Sequence, residues 1–91
     1  MSISIKKLSD DVFEVTVVET LTTTHTVTVT DQSLNDLTDN SVTKTQLLKF
    51  SFRFLLEREP NTSILSSFDI NLISKYFPNY KDEVRRWCDE G

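Results

Sequence analysis

The chain has 91 residues, a net charge of −4 and an apolar fraction of 37%, with six Phe, two Tyr and one Trp. This composition predicts one folded domain, residues 1–91, and excludes a disordered chain. No run approaches the ~18 apolar residues that a membrane-spanning helix needs, and the N-terminus lacks the pattern of a signal peptide. We therefore expect a cytoplasmic protein with no membrane partner.

The charge is distributed unevenly along the chain. Residues 1–42 hold two basic and seven acidic side chains, whereas residues 43–91 hold eight basic and seven acidic ones. An acidic half repels phosphate backbones, and a mixed half offers no basic surface, so nucleic acid is not the favoured partner. Cys88 is the single cysteine, which excludes an internal disulfide and a cysteine-based zinc site.

The first thirty residues carry three alternating patterns that are typical of β-strands. Apolar residues alternate with polar ones in SISIKKL, in DVFEVTVV and in THTVTVT. In the third stretch, His25 occupies the same alternating positions as Val27 and Val29. Such alternation gives a sheet one apolar face. We predict a three-stranded antiparallel β-meander over residues 1–30, with loops near 9–11 and 19–21.

Residues 31–40 form a transition to the helical half. Ser33 followed by Asp36, with Leu34 and Leu37 beside them, predicts a short helical turn. Asn40 is the residue expected to close this turn in the left-handed conformation, where glycine would be more usual.

The stretch TKTQLLKFSFRFLLEREP, residues 43–60, predicts the central helix. Thr43 and Gln46 form a capping box at its start. Pro60 disfavours a helical conformation of the residue before it, so we expect the helix to run over residues 44–58.

Most of this helix is apolar around its circumference. Its polar side chains fall on one narrow line, which we call the polar stripe: Gln46, Lys49, Arg53 and Glu57. Because apolar side chains cover most of the remaining surface, the helix is expected to be buried on more than one side. Ser51 lies within the apolar arc, where a small side chain allows another element to approach closely.

Residues 61–91 predict further short helices. A turn begins at Asn61 or Thr62, and Asp69 caps a helix that ends before Pro78, with Ser66 as a competing start. A last helix follows Asn79, because apolar residues recur at helical spacing through residue 88. The predicted fold is therefore α+β, a β-meander followed by three to four helices in residues 31–91 that pack on one sheet face.

No catalytic constellation is visible in the sequence. His25 is the only histidine and has no nucleophile or carboxylate close in sequence, so we interpret it as structural. Cys88 lies at the end of the last helix, where the helix dipole does not favour a thiolate. The chain has neither a glycine-rich phosphate loop nor a metal-ligand cluster, so we predict a non-enzymatic protein without cofactor or metal.

Threonine occupies every second position between Thr22 and Thr30. One interpretation is an exposed sheet face, since threonine favours strands and tolerates water. The other is a face or edge that pairs with a second copy. Aromatic residues raise a similar choice between core packing and a partially exposed anchor for a partner: Tyr76, Phe77, Tyr80 and Trp87.

Two classes of function follow. The first is a protein-interaction or adaptor domain, with a protein partner or a second copy in a homodimer, that uses the polar stripe and the pair Arg58 and Glu59. That pair is either an ion-pair corner that orients the next helix or a recognition patch. The alternative is a small nucleic-acid-binding regulator, although acidic neighbours dilute its basic side chains, which are Lys75, Lys81, Arg85 and Arg86.

Residues 51–80 contain the patterns S-F-x-F-L-L-x-R-E-P, I-L-x-x-F-D and Y-F-P. With a strand ending near His25, these patterns resemble a family of small bacterial proteins of unknown function. The resemblance implies a compact α+β domain. It implies no activity, cofactor or catalytic residue.

Overall fold

A computed structural model describes residues 2–90 of the chain. Within these residues the strands are β1 (Ser2–Lys7), β2 (Val12–Val18), β3 (Thr22–Thr28) and β4 (Ser67–Asp69). The α-helices are α1 (Asp31–Thr38), α2 (Lys44–Leu56), α3 (Ile73–Tyr76) and α4 (Tyr80–Glu90), with 3-10 turns at Asn61–Ser63 and Ile70–Leu72. The α+β class predicted from the sequence is confirmed.

The sheet has the strand order β1-β2-β3-β4. β1, β2 and β3 form the predicted antiparallel meander, with Val15 opposite both Ile5 and His25. The sheet differs from the prediction in one respect, because β4 adds a fourth strand that runs parallel to β3, with Phe68 opposite Val27. Three residues are too few to show an alternating pattern, so this strand had no signal in the sequence.

The two faces of the sheet differ in burial. The inward residues of β2 and β3 are buried, namely Phe13, Val15, Val17, His25 and Val27. Thr22 and Thr24 on the opposite face are exposed, and Thr26 and Thr28 are half-buried. The helices therefore cover one face, and the threonine residues lie on the other.

α2 is the central helix of the core. Thr43 Oγ1 accepts from the backbone N–H of Gln46, and the Gln46 side chain accepts from the backbone N–H of Thr43, so the capping box is confirmed. The helix ends at Leu56, two residues earlier than expected. Its last turn tightens there, because the backbone N–H groups of Arg58 and Glu59 both donate to the carbonyl of Leu55.

α1 begins earlier than the sequence suggested. Thr30 caps it by accepting from the backbone N–H of Ser33, so the expected start at Ser33 is wrong by one turn. Asn40 has the predicted left-handed conformation with φ of 59°, and Asp39 shares it with φ of 54°. Two consecutive left-handed residues reverse the chain between α1 and α2 without a glycine.

The segment after α2 follows the prediction in outline. The 3-10 turn at Asn61–Ser63 takes the place of the expected turn. Asp69 accepts from the backbone N–H of Asn71 and so caps the Ile70–Leu72 turn that leads into α3. Ser66 is not the start, since β4 separates it from the Ile70–Leu72 turn.

One buried polar pair joins α2 to α4 in the core. Ser51 Oγ donates to the carbonyl of Leu47 at 2.7 Å, so Tyr80, whose hydroxyl lies 2.6 Å from Ser51 Oγ, is the donor to it. Burial raises the pKa of Tyr80, which keeps its hydroxyl protonated. The small side chain of Ser51 therefore permits the close approach that its position in the apolar arc predicted.

Across residues 2–90, no helix combines the length and the apolar character that crossing a membrane requires.

Candidate functional site

The polar stripe lies on the outer surface of α2. Gln46, Lys49, Arg53 and Glu57 are all exposed. Lys49 and Arg53 take part in no ion pair within residues 2–90, and Gln46 is occupied in the capping box. No stripe residue lines either of the two cavities described below.

Arg58 and Glu59 do not form an ion pair with each other in the structure. Arg58 Nη1 donates to the carbonyl of Phe54 at 2.9 Å, and its guanidinium lies 3.6 Å from the centre of the Phe54 ring. Its ion-pair partner is Glu57, at 3.6 Å, and not Glu59. Arg58 therefore closes the end of α2, while Glu59 is directed elsewhere.

Glu59 lies at an apolar groove of about 420 Å³. The groove is lined by two segments of the chain, the end of α2 with the turn that follows it, and β4 with α3. Its lining residues are Leu55, Glu59, Ser63, Ile64, Leu65, Phe68, Leu72, Ile73, Tyr76 and Phe77.

Hydrogen bonds to β3 and to the loop before it hold the first of these segments in place. Asn61, which is 5% exposed, donates from Nδ2 to the carbonyl of Leu21 at 2.8 Å and to Thr23 Oγ1 at 3.0 Å. His25 Nδ1 lies 2.7 Å from the carbonyl of Leu65 and its Nε2 lies 2.8 Å from Thr23 Oγ1. Because a carbonyl only accepts, Nδ1 is the donor in this bond. His25 thus anchors the backbone beside the groove.

Two large apolar side chains of the groove face the solvent. Leu65 is 49% exposed and Tyr76 is 66% exposed. The floor is better covered, since Leu55, Ile64 and Ile73 are buried. An apolar surface that stays exposed in a small domain is typical of a binding site.

The aromatic group predicted near the C-terminus divides between core and groove. Tyr80 is buried, and Trp87 stacks on Phe50 with ring centres 4.6 Å apart. Phe77 packs edge-on against Phe54 at 5.8 Å while also lining the groove. Tyr76 is the member of the group that is largely open to solvent.

The four basic residues of the nucleic-acid hypothesis lie on α3 and α4. Arg85 pairs with Asp39 at 3.7 Å, and Arg86 pairs with Glu83 at 3.2 Å. Lys75 and Lys81 are exposed. A phosphate group would have to compete with carboxylates for both arginines.

Cys88 lines a second, smaller cavity of about 180 Å³ next to Arg85 and Asp89. It is half-buried and unpaired. In the part of the chain that the structure describes, no three His, Cys, Asp or Glu side chains are grouped closely enough to hold a metal ion.

Comparison of the chain with protein-family models, with curated proteins and with solved structures finds no match. The resemblance of residues 51–80 to a bacterial family therefore stays a prediction. The site is defined here by its own geometry alone.

Among the site residues, sequence reasoning selected Glu59 and named Tyr76 as one of four candidate anchors. Leu65, Phe68 and Leu72 were missed, because an apolar residue in a short element looks the same whether it enters the core or lines a groove. A signal was available for Leu65, which is followed by Ser66 and Ser67 and so has an adjacent apolar residue on one side only.

Proposed function

We propose that this domain is a non-enzymatic protein-interaction module that binds an apolar segment of a partner protein in the apolar groove. The observation that carries the proposal is the exposure of Leu65 and Tyr76 on a concave apolar surface. The proposed setting is the cytoplasm, where a lone thiol such as Cys88 stays reduced.

The size and lining of the groove support this proposal. Pockets that bind ligands have volumes of roughly 300–1,000 Å³ and are lined mainly by apolar and aromatic side chains. A groove of about 420 Å³ has room for one or two large side chains of a partner. Tyrosine is also enriched among the residues that contribute most to protein–protein binding energy.

Two structural anchors hold one side of the groove. Asn61 and His25 fix the backbone on both sides of Ile64, so the turn that carries Leu65 is held before a partner arrives. A surface that is already ordered loses little conformational entropy on binding, which favours affinity.

The experiment is selection of a displayed random-peptide library on the immobilised domain. We expect peptides with large apolar side chains to be enriched on the wild type. On the double variant Leu65→Ser/Tyr76→Ser, affinity for these peptides should fall at least about thirtyfold, because truncating such anchors typically costs ~2 kcal/mol or more.

Leu8→Ser is the matched control. Leu8 has the same exposure as Leu65, 49%, but does not line the groove. Enriched peptides should bind this control like the wild type. Equal loss of binding in the control and the groove variant, or no enrichment at all, would contradict the proposed function.

The nucleic-acid alternative has weaker support. Arg85 and Arg86 are already paired with Asp39 and Glu83. It predicts salt-dependent DNA or RNA binding that Arg85→Ala/Arg86→Ala abolishes, and lack of binding at low salt would count against it.

A further inference from the structure

The apolar groove has an electrostatic preference that follows from one residue. Glu59 is the only charged side chain among those lining the groove in residues 2–90. It is half-buried, and its carboxylate forms no hydrogen bond or ion pair within those residues. The neighbouring Arg58 does not supply a counter-charge, since its guanidinium is bound to Phe54 and Glu57.

The end of α2 adds to the negative potential at this place. The backbone N–H of Glu59 donates to the carbonyl of Leu55, so Glu59 lies directly at the C-terminal end of the helix. The helix dipole leaves partial negative charge there, which disfavours a carboxylate and favours a cation. A cation bound in the groove would therefore offset both the carboxylate and the dipole.

We propose that the groove selects protein segments in which a Lys or Arg lies beside the large apolar side chain that enters it, and that the cation pairs with Glu59. The proposal rests on the proposed function, because it assigns the specificity of the same groove. It goes beyond that function by requiring a charge on the partner.

The test uses an enriched peptide and a matched peptide in which its Lys or Arg is replaced by Gln. Fluorescence anisotropy measures the Kd of both for the wild type, for Glu59→Gln and for Glu19→Gln. Glu19 is the control carboxylate, because it is exposed, forms no ion pair within residues 2–90 and does not line the groove. Raising the salt concentration provides an independent readout.

We expect the neutral peptide to bind the wild type and Glu19→Gln about fivefold more weakly than the basic one, as for a partly screened ion pair. On Glu59→Gln the two peptides should bind equally, and salt should no longer distinguish them. The Tm of Glu59→Gln should be equal to or above that of the wild type, which shows that the loss does not come from unfolding. Selection on Glu59→Lys should enrich acidic peptides instead.

Four results would overturn the proposal, and they differ in what they leave standing. Groove-dependent peptides without a basic residue, or a basic preference that persists in Glu59→Gln, would reject the role of Glu59 and leave groove binding intact. Lack of any groove-dependent peptide would reject the proposed function as well. A wild-type dimer in sedimentation experiments that Leu65→Ser/Tyr76→Ser abolishes would show that a second copy occupies the groove.

Discussion

The two ends of α2 differ in whether their charged side chains have partners. At the N-terminal end, Thr43 and Gln46 cap each other, and Lys44 pairs with Asp11 and Asp31. At the C-terminal end, Arg58 donates to the carbonyl of Phe54 and pairs with Glu57, while the carboxylate of Glu59 has no partner in residues 2–90. Departures from local consistency, such as a carboxylate at the negative end of a helix dipole, are expected at functional sites.

Lys44 is a charged side chain whose contacts all lie within the fold. Its side chain is 13% exposed, and its Nζ lies 2.7 Å from Asp31 Oδ1, 3.1 Å from Asp11 Oδ1 and 2.7 Å from the carbonyl of Asp10. It thereby connects the β1–β2 turn, α1 and α2. Glu59 makes no such connection, which is why we assign the N-terminal end to stability and the C-terminal end to binding.

The largest predicted effect tests whether the groove has a rigid support. Asn61→Ala removes two hydrogen bonds made by a buried side chain, so we expect a loss of about 2 kcal/mol in the free energy of unfolding. Urea denaturation measures this. Thr62→Ala, at the exposed neighbouring position, should change stability little; a similar loss in both variants would show that the turn is not anchored through Asn61.

A smaller effect is expected at the N-terminal end of α2. Lys44→Met keeps the length of the side chain but loses its three oxygen contacts. Since both carboxylates are at least half exposed, we expect a loss of about 1 kcal/mol, or a Tm lower by roughly 4–8 °C. Lys49→Met is the control on the polar stripe, and an equal loss there would mean that the contacts of Lys44 contribute nothing specific.

The contribution of Lys44 should depend on pH at both extremes. The hydrogen bond with Asp31 raises the pKa of Lys44 above its ordinary value of 10.5 and lowers the pKa of Asp31 below 3.8. The stability due to Lys44 is therefore present below pH 10.5 and is lost as the pH rises through its raised pKa.

The stabilising contribution of Asp31 has the opposite pH dependence. It is present above pH 3.8 and is lost as the pH falls through the lowered pKa of Asp31. Thermal unfolding of the wild type and Lys44→Met across the pH range should show a constant difference at neutral pH that shrinks at both ends. A difference independent of pH would rule out the ion pair as its source.

The smallest predicted effect has the opposite direction. Glu59→Gln removes a carboxylate from the negative end of the helix dipole, so the free protein should be unchanged or more stable by about 0.3 kcal/mol. Chemical denaturation at low salt measures this difference. Clear destabilisation would mean that Glu59 stabilises the fold, as Lys44 does, and that the two ends of α2 do not differ in role.

The sequence predicted most of the framework because the relevant signals are local. The capping box of Thr43 and Gln46 depends on residues three apart, and the strands of the meander follow from alternation within each segment. The end of α2 was predicted two residues late, because Pro60 limits a helix without specifying how its last turn tightens.

The groove was much harder to predict. Glu59 was selected because it stands beside Arg58 and Pro60, yet the sequence suggested that these two charges act together. The structure directs Arg58 to Phe54 and Glu57, which depends on side-chain packing at the helix end. Leu65, Phe68 and Tyr76 line one groove with Leu55 of α2, and the position of β4 within that segment is fixed by its parallel pairing with β3, some 40 residues earlier in the chain.

The sequence by itself therefore determined most of the elements, the inward face of the sheet and the central position of α2, since periodicity and capping act between near neighbours. The tertiary structure alone decided the fourth strand, which apolar residues stay exposed, and that Glu59 rather than Arg58 faces the groove without a partner in residues 2–90. Those properties depend on contacts between distant segments, such as His25 with Leu65 and Asn61 with Leu21, and no local pattern records them.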